Sequence, residues 1–225
     1  MVLYPVNLKI EGRPCVIIGG GRVAARKAAA LLECGARLKV VSPEFDSGFA
    51  ELGIAEPGGT ENGFAESGGG VTHLARPYQA GDLKGAFLVI AATDDEAVNR
   101  AVEAEATERQ LLLNVVDKPD QCSFYVPSSV RRGELMLTVS TGGRLPALSK
   151  RLRWWLEEEF PGEWAPALEL LGEAREQVVS RIGDEGKKKE CLTELAALDV
   201  VALLRDGGET AARSEIEKCI SRYLA

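Results

Sequence analysis

An α/β fold built on a parallel sheet is what this 225-residue chain predicts, and three observations carry that expectation. Apolar runs of strand length recur through the first half of the sequence, helix-forming stretches separate them, and three consecutive glycines stand at the first strand-to-helix junction. RPCVII (13–18), RLKVVS (37–42), VTHL (71–74), FLVIAAT (87–93) and LLLNVV (111–116) read as strands. They are continuously apolar rather than alternating, the pattern of strands covered on both faces, so the sheet is expected to be doubly wound.

The opening unit is the most informative. RVAARKAAALLEC (22–34) has helix-forming composition with Val23, Leu31 and Leu32 on an apolar stripe, and Gly35 is placed to stop it. Strand, glycine turn, helix and strand make a βαβ unit. Within it Gly19, Gly21 and Ala24 fit G-x-G-x-x-G/A, the Rossmann dinucleotide pattern. The first glycine makes the turn, the second admits a pyrophosphate, and the small third residue allows helix and strand to pack closely. The cofactor phosphates would meet the free N–H groups and the positive end of the helix that begins near Arg22. Pro43-Glu44 closes the second strand, and Glu44 is placed either to hold a ribose hydroxyl or to be a solvated loop carboxylate. No arginine follows closely to receive a 2′-phosphate, so NAD is expected rather than NADP.

Ligands of such sheets bind outside the carboxyl ends of the strands. Thr93, Asp94 and Asp95 follow the fourth strand, and Asp117 follows the fifth. Thr93 and Asp94 are expected on the cofactor side, although Asp94 or Asp95 must also cap the helix running to about Arg109. Asp117, before Lys118-Pro119, is a candidate acid-base group or a turn residue.

The pattern then changes. SFYVP (123–127) and ELMLTVST (134–141), joined by a turn at Arg132-Gly133, read as two strands outside the βαβ order, available to pair with a second subunit. STGGRLPALSKRLRWWLEEEF (140–160) leads through Gly142-Gly143 into a helix bearing Arg144, Lys150, Arg151 and Arg153, which is either a solvated face or an anion site. Pro161-Gly162 ends it, and roughly three amphipathic helices follow. The expected division is 1–122, 123–158 and 159–225: nucleotide-binding domain, small α+β dimerisation segment, and helical C-terminal domain.

Composition removes several functional classes. A net charge of −7 argues against nucleic acid as a partner, and no apolar stretch approaches a membrane span, so a cytoplasmic location is expected. Five scattered cysteines without a C-x-x-C pair argue against a disulfide framework and against a thiolate metal site, and His73, the single histidine, has no partner in metal-ligand spacing, so no metal site is expected. EPGGTENGFAESGGG (56–70) reads as a surface excursion.

Four ordered motifs, IGGGRVAARKAAALLECGARLKVVSPE, ATDDEAVNRAV, NVVDKPDQCSFYVPSSVRRGEL and STGGRLPALSKRLR, together resemble the precorrin-2 dehydrogenase family, also found as the N-terminal module of siroheme synthases. The resemblance covers about residues 1–156. It implies NAD-dependent oxidation of precorrin-2 to sirohydrochlorin, Fe²⁺ insertion in some members, a homodimer, and a helical C-terminal domain. It carries nucleotide contacts onto Gly19–Val23 and Pro43-Glu44, the key acid onto Asp117, and the family serine or threonine before the paired glycines onto Thr141. A tetrapyrrole rich in carboxylates suits the segment from Thr141 to Arg153, so substrate contacts are expected at Asn114, Thr141, Gly142, Gly143, Arg144, Lys150 and Arg153. The competing expectation from a different class is a non-catalytic dimeric module that senses the NAD/NADH ratio.

Overall fold

The computed structural model describes residues 2–53, 64 and 71–224; the glycine-rich stretch read as a surface excursion lies, apart from Phe64, outside them. The chain divides into two compact units, Met1–Val126 and Pro127–Ala225.

The first unit is a five-stranded parallel sheet. Its strands are β1 (Pro14–Ile18), β2 (Arg37–Val41), β3 (Val71–Leu74), β4 (Leu88–Ala91) and β5 (Leu112–Val115), in the order β3-β2-β1-β4-β5. Ile18 pairs with both Val41 and Ala91, so three strands end level with one another. The order reverses between β1 and β4, which opens a crevice at their carboxyl ends. Helix α1 (Arg22–Glu33) crosses from β1 to β2, a single turn α2 (Gly48–Glu51) follows β2, and α3 (Glu96–Glu108) joins β4 to β5. Two apolar clusters sandwich the sheet. Ala24, Ala25, Ala28 and Leu31 of α1 bury against Ile17, Val40 and Ile90, while Val102 and Ala106 of α3 bury against Val16, Val89 and Leu113. Both faces are therefore dry, as the continuous apolar strands require.

A buried polar brace ties the loop before β4 to α3. Arg76 holds Asp82 through two bonds of 2.8 and 2.7 Å, and Glu105 accepts from Tyr78 Oη at 2.5 Å, Gly81 N at 2.9 Å and Arg109 Nε at 2.7 Å. Burial pushes both carboxyl groups upward, but these donors outweigh it and leave Asp82 and Glu105 below their ordinary values.

The second unit begins with an antiparallel hairpin, β6 (Ser128–Arg132) and β7 (Leu135–Val139), turned by Gly133 at φ +58°. The strand expected over 123–127 is displaced to 128–132. Ser123 N and Oγ lie on Leu113 O at 2.8 and 3.2 Å, and Phe124 O accepts from Asn114 Nδ2 at 3.0 Å, so this stretch is held to β5 by local bonds. Pro127, which has no N–H to give, precedes the first paired residue. Helix α4 (Pro146–Glu159) follows, its last carbonyls satisfied by Arg132 at Phe160 O (2.7 Å) and Glu157 O (3.1 Å). Helices α5 (Trp164–Arg181), α6 (Glu185–Ala197) and α7 (Val200–Ser221) complete the unit around Leu170, Val178, Leu195, Ile216 and Ile220. Asp184 and Asp199 cap α6 and α7, and Gly208 at φ +69° breaks α7 into two helical pieces.

Candidate active site

The glycine turn is shaped by two close approaches and one opening. Gly19 sits at φ +117° with its N–H on Val41 O at 2.9 Å, and a Cβ there would lie 2.2 Å from Ala92 O. A Cβ on Gly20 would lie 1.9 Å from Glu44 O, and Gly20 O accepts from Asp46 N at 2.7 Å. The turn is thus wedged between the ends of β2 and β4, and neither position has room for a side chain. Gly21 differs: its φ of −76° suits any residue and a Cβ would meet nothing within 4 Å. It is the N-cap of α1, it offers no side-chain cap, and no acidic residue occupies the first turn. The N–H groups of Arg22 and Val23, both exposed, therefore face open space at the positive end of the helix.

This is a cradle whose open face needs an anion, and it fits a dinucleotide pyrophosphate. Ala24, fully buried, supplies the close helix-strand contact. Gly20 occupies a position the pattern leaves free, yet sterically it is as constrained as Gly19, a requirement that only the neighbouring Glu44 backbone reveals.

The remaining first-unit candidates line the same edge of the sheet. Pro43 and Glu44 are exposed beyond β2. Beyond β4, Thr93 Oγ1 accepts from Asp95 N at 3.2 Å and Thr93 O accepts from Asn99 Nδ2 at 3.0 Å. The helix cap is Asp95, which accepts from Ala97 N at 2.8 Å and Val98 N at 3.1 Å; Asp94, exposed, stands one residue outside the cap. Beyond β5, Asp117 is exposed in the left-handed region at φ +59°, a conformation aspartate tolerates better than most residues.

The turn that carries Asp117 is stapled by a thiol. Cys122 Sγ accepts from Val115 N at 3.2 Å and lies 3.2 Å from the carbonyls of Val115 and Lys118. Burial pushes this thiol upward, so it remains protonated and able to donate. Cysteine spacing gave no sign of this role. Asn114 is buried at 8% exposure and its amide nitrogen is engaged by Phe124 O and Cys122 Sγ, so it braces the segment after Asp117.

In the second unit Gly142 (φ +62°) and Gly143 (φ +78°) form an open turn ahead of α4. Thr141 Oγ1 accepts from Leu145 N at 3.3 Å and shares a hydrogen bond with buried Ser149 Oγ at 3.1 Å. Arg144 is exposed at this turn. Lys150 Nζ rests 4.9 Å above the Trp154 ring, and Arg153 is paired with Glu157 at 2.5 Å. The first-unit residues and the second-unit residues thus form one group each. Among the described residues no group of three or more His, Cys, Asp or Glu could hold a metal ion, and no helix is long and apolar enough to cross a membrane.

The fold and cradle describe a nucleotide-binding protein, and comparison with known families agrees. The family model described as "Putative NAD(P)-binding" matches residues 6–128, more than half of the chain, and the chain belongs to that family. It is 37% identical over 222 residues to a siroheme synthase of Methylobacillus flagellatus, covering 98% of this chain and 44% of that one. It is 35% identical to a siroheme synthase of Thioalkalivibrio sulfidiphilus, covering 100% and 43%. A siroheme synthase 2 of Aeromonas salmonicida is 41% identical over 187 residues, 82% and 36%. The chain therefore spans less than half the length of these curated relatives. Among solved structures, SirC, precorrin-2 dehydrogenase, superposes with a TM-score of 0.73 at 25% identity, covering 98% of this chain and 100% of that one.

Proposed function

We propose that this chain is an NAD-dependent dehydrogenase that oxidises precorrin-2 to sirohydrochlorin. The observation that carries the reading is the open, uncapped cradle at Gly21 with the acid Asp117 at the same edge of one parallel sheet. Similarity to siroheme synthases and to a precorrin-2 dehydrogenase supports the choice of substrate.

Arg22 and Val23 N–H groups hold the pyrophosphate, Glu44 accepts from a ribose hydroxyl, and Thr93 and Asp94 border the cofactor beyond β4. Bound NAD⁺ supplies the hydride acceptor. Oxidation of the tetrapyrrole releases a hydride and a proton, and Asp117 receives that proton as general base. Asn114 and Cys122 act through the turn, fixing where the carboxylate stands. The cations Arg144, Lys150 and Arg153, with the open turn at Thr141–Gly143, meet the substrate carboxylates. The segment 123–158 joins two copies into a homodimer.

Anaerobic mixing of the protein with NAD⁺ and precorrin-2, followed by absorbance, tests the reading: NADH and sirohydrochlorin should accumulate together. A sensing module would bind NAD⁺ and give no turnover. A separate assay with sirohydrochlorin and Fe²⁺ as substrates reads metal insertion independently.

A further inference from the structure

Asn99 is buried at 4% exposure on α3, one turn in from the Asp95 cap, and neither the nucleotide pattern nor the substrate reading uses it. Its Nδ2 donates to Thr93 O at 3.0 Å. A carbonyl can only accept, so the amide nitrogen, not the oxygen, must face Thr93. Asn99 Oδ1 is then fully enclosed and has no donor among the described residues. An enclosed acceptor without a donor is a cost to folding, and an apolar side chain of the same size would avoid it. What the amide secures is the Thr93 carbonyl. That carbonyl belongs to the loop that walls the glycine cradle. Ala92 N donates to Ile18 O, at the end of β1, at 2.7 Å, and a Cβ on Gly19 would stand 2.2 Å from Ala92 O and 3.2 Å from Thr93 N. The Ala92–Thr93 peptide thus lies against the glycine turn itself. Bonds from α3 and its cap hold the loop on the other side: Asn99 Nδ2 on Thr93 O, and Asp95 N on Thr93 Oγ1 at 3.2 Å.

We propose that Asn99 is a positioning residue for NAD⁺: its amide pins the Thr93 carbonyl, which keeps the Ala92–Thr93 peptide against Gly19 and so sets the wall of the cradle that takes the pyrophosphate. Being buried, Asn99 acts through the loop and not by contact with the cofactor. The inference rests on the nucleotide reading of that cradle and not on the choice of substrate.

Calorimetric titration of NAD⁺ into the whole chain, beside thermal unfolding without ligand, tests it. Asn99→Leu keeps the size and helix propensity of the side chain and removes the donor. Asn99→Asp keeps the shape and sets a carboxylate oxygen opposite Thr93 O. Each should weaken NAD⁺ binding about tenfold, the weight of one hydrogen bond. In turnover the KM for NAD⁺ should rise by a like factor, while kcat at saturating NAD⁺ and the KM for precorrin-2 stay near wild type. Val102→Ala loosens the same helix against the sheet three residues further on, where Val102 is fully buried. It should lower the melting temperature and leave NAD⁺ affinity unchanged. Wild-type affinity in the folded Asn99 variants overturns the proposal. So does an equal loss of affinity in Val102→Ala, which would tie binding to the stability of α3 in general. Should Asn99→Leu fail to fold, Asn99→Asp decides. A wild type that binds NAD⁺ and leaves precorrin-2 unchanged removes the substrate reading and leaves this inference standing.

Discussion

Two residue-scale contrasts separate chemistry from architecture. At Gly21 a side chain finds open space and an ordinary backbone angle, so Gly21→Asp should fold with a wild-type melting temperature and lose NAD⁺ binding, because its charge occupies the phosphate cradle. At Gly20 the same addition meets the Glu44 carbonyl, so even Gly20→Ala should destabilise by about 2–3 kcal/mol. Calorimetric NAD⁺ titration beside thermal unfolding checks both, and near-normal affinity in folded Gly21→Asp would sink the cofactor assignment. Asp117 offers the second contrast. Asparagine tolerates φ +59°, so Asp117→Asn should keep its stability and NAD⁺ affinity while turnover falls by about 10²-fold or more. Asp117→Ala confounds the two, since alanine in the left-handed region costs about 1–2 kcal/mol on its own. Asp117→Gly is the better charge-free companion. Turnover above about a tenth of wild type in Asp117→Asn would make this a turn residue only.

At the scale of the element, the loop from Arg76 to Asp82 owes its fixed position to carboxylates rather than to apolar packing alone. Asp82 and Glu105 both lie below their ordinary values of 3.8 and 4.5 when folded. Groups shifted down in the native state contribute stability that is fully present above the unfolded value and is lost as pH falls through the folded one. The melting temperature should therefore hold at neutral pH and drop between about pH 5 and pH 3. Glu105→Gln, which keeps the shape but removes the charge, should be less stable at neutral pH and show a shallower acid decline. An equally steep decline in that variant would place the acid-sensitive groups elsewhere.

Across the whole molecule, the hairpin and α4 carry more apolar surface than their own unit covers. Leu145, Leu148, Trp154 and Trp155 are 40–57% exposed, and β6–β7 is a sheet of two strands, which is marginal alone. A homodimer formed through this segment would cover both. Light scattering at micromolar concentration should return twice the chain mass, and Trp154→Glu with Trp155→Glu should shift it towards the monomer. A wild-type monomer at that concentration removes the dimer.

The parallel sheet, its five strands and the location of the nucleotide turn were legible from residue patterns alone. Continuous apolar runs and a glycine-helix junction are local signals, each written within about ten residues of chain. The sequence also named Asp117, while leaving a catalytic and a turn role open. The hairpin boundary was not legible in it, because SFYVP has strand composition and only its bonds to Leu113 and Asn114 hold it out of a ladder. Neither was the staple at Cys122 nor the steric demand at Gly20. Each depends on atoms from separate segments meeting at the sheet edge: the Glu44 carbonyl over Gly20, and the Cys122 thiol on Val115. Contacts between segments distant along the chain are decided by where the sheet order reverses and where the helices cross, and that is a property of the folded backbone alone.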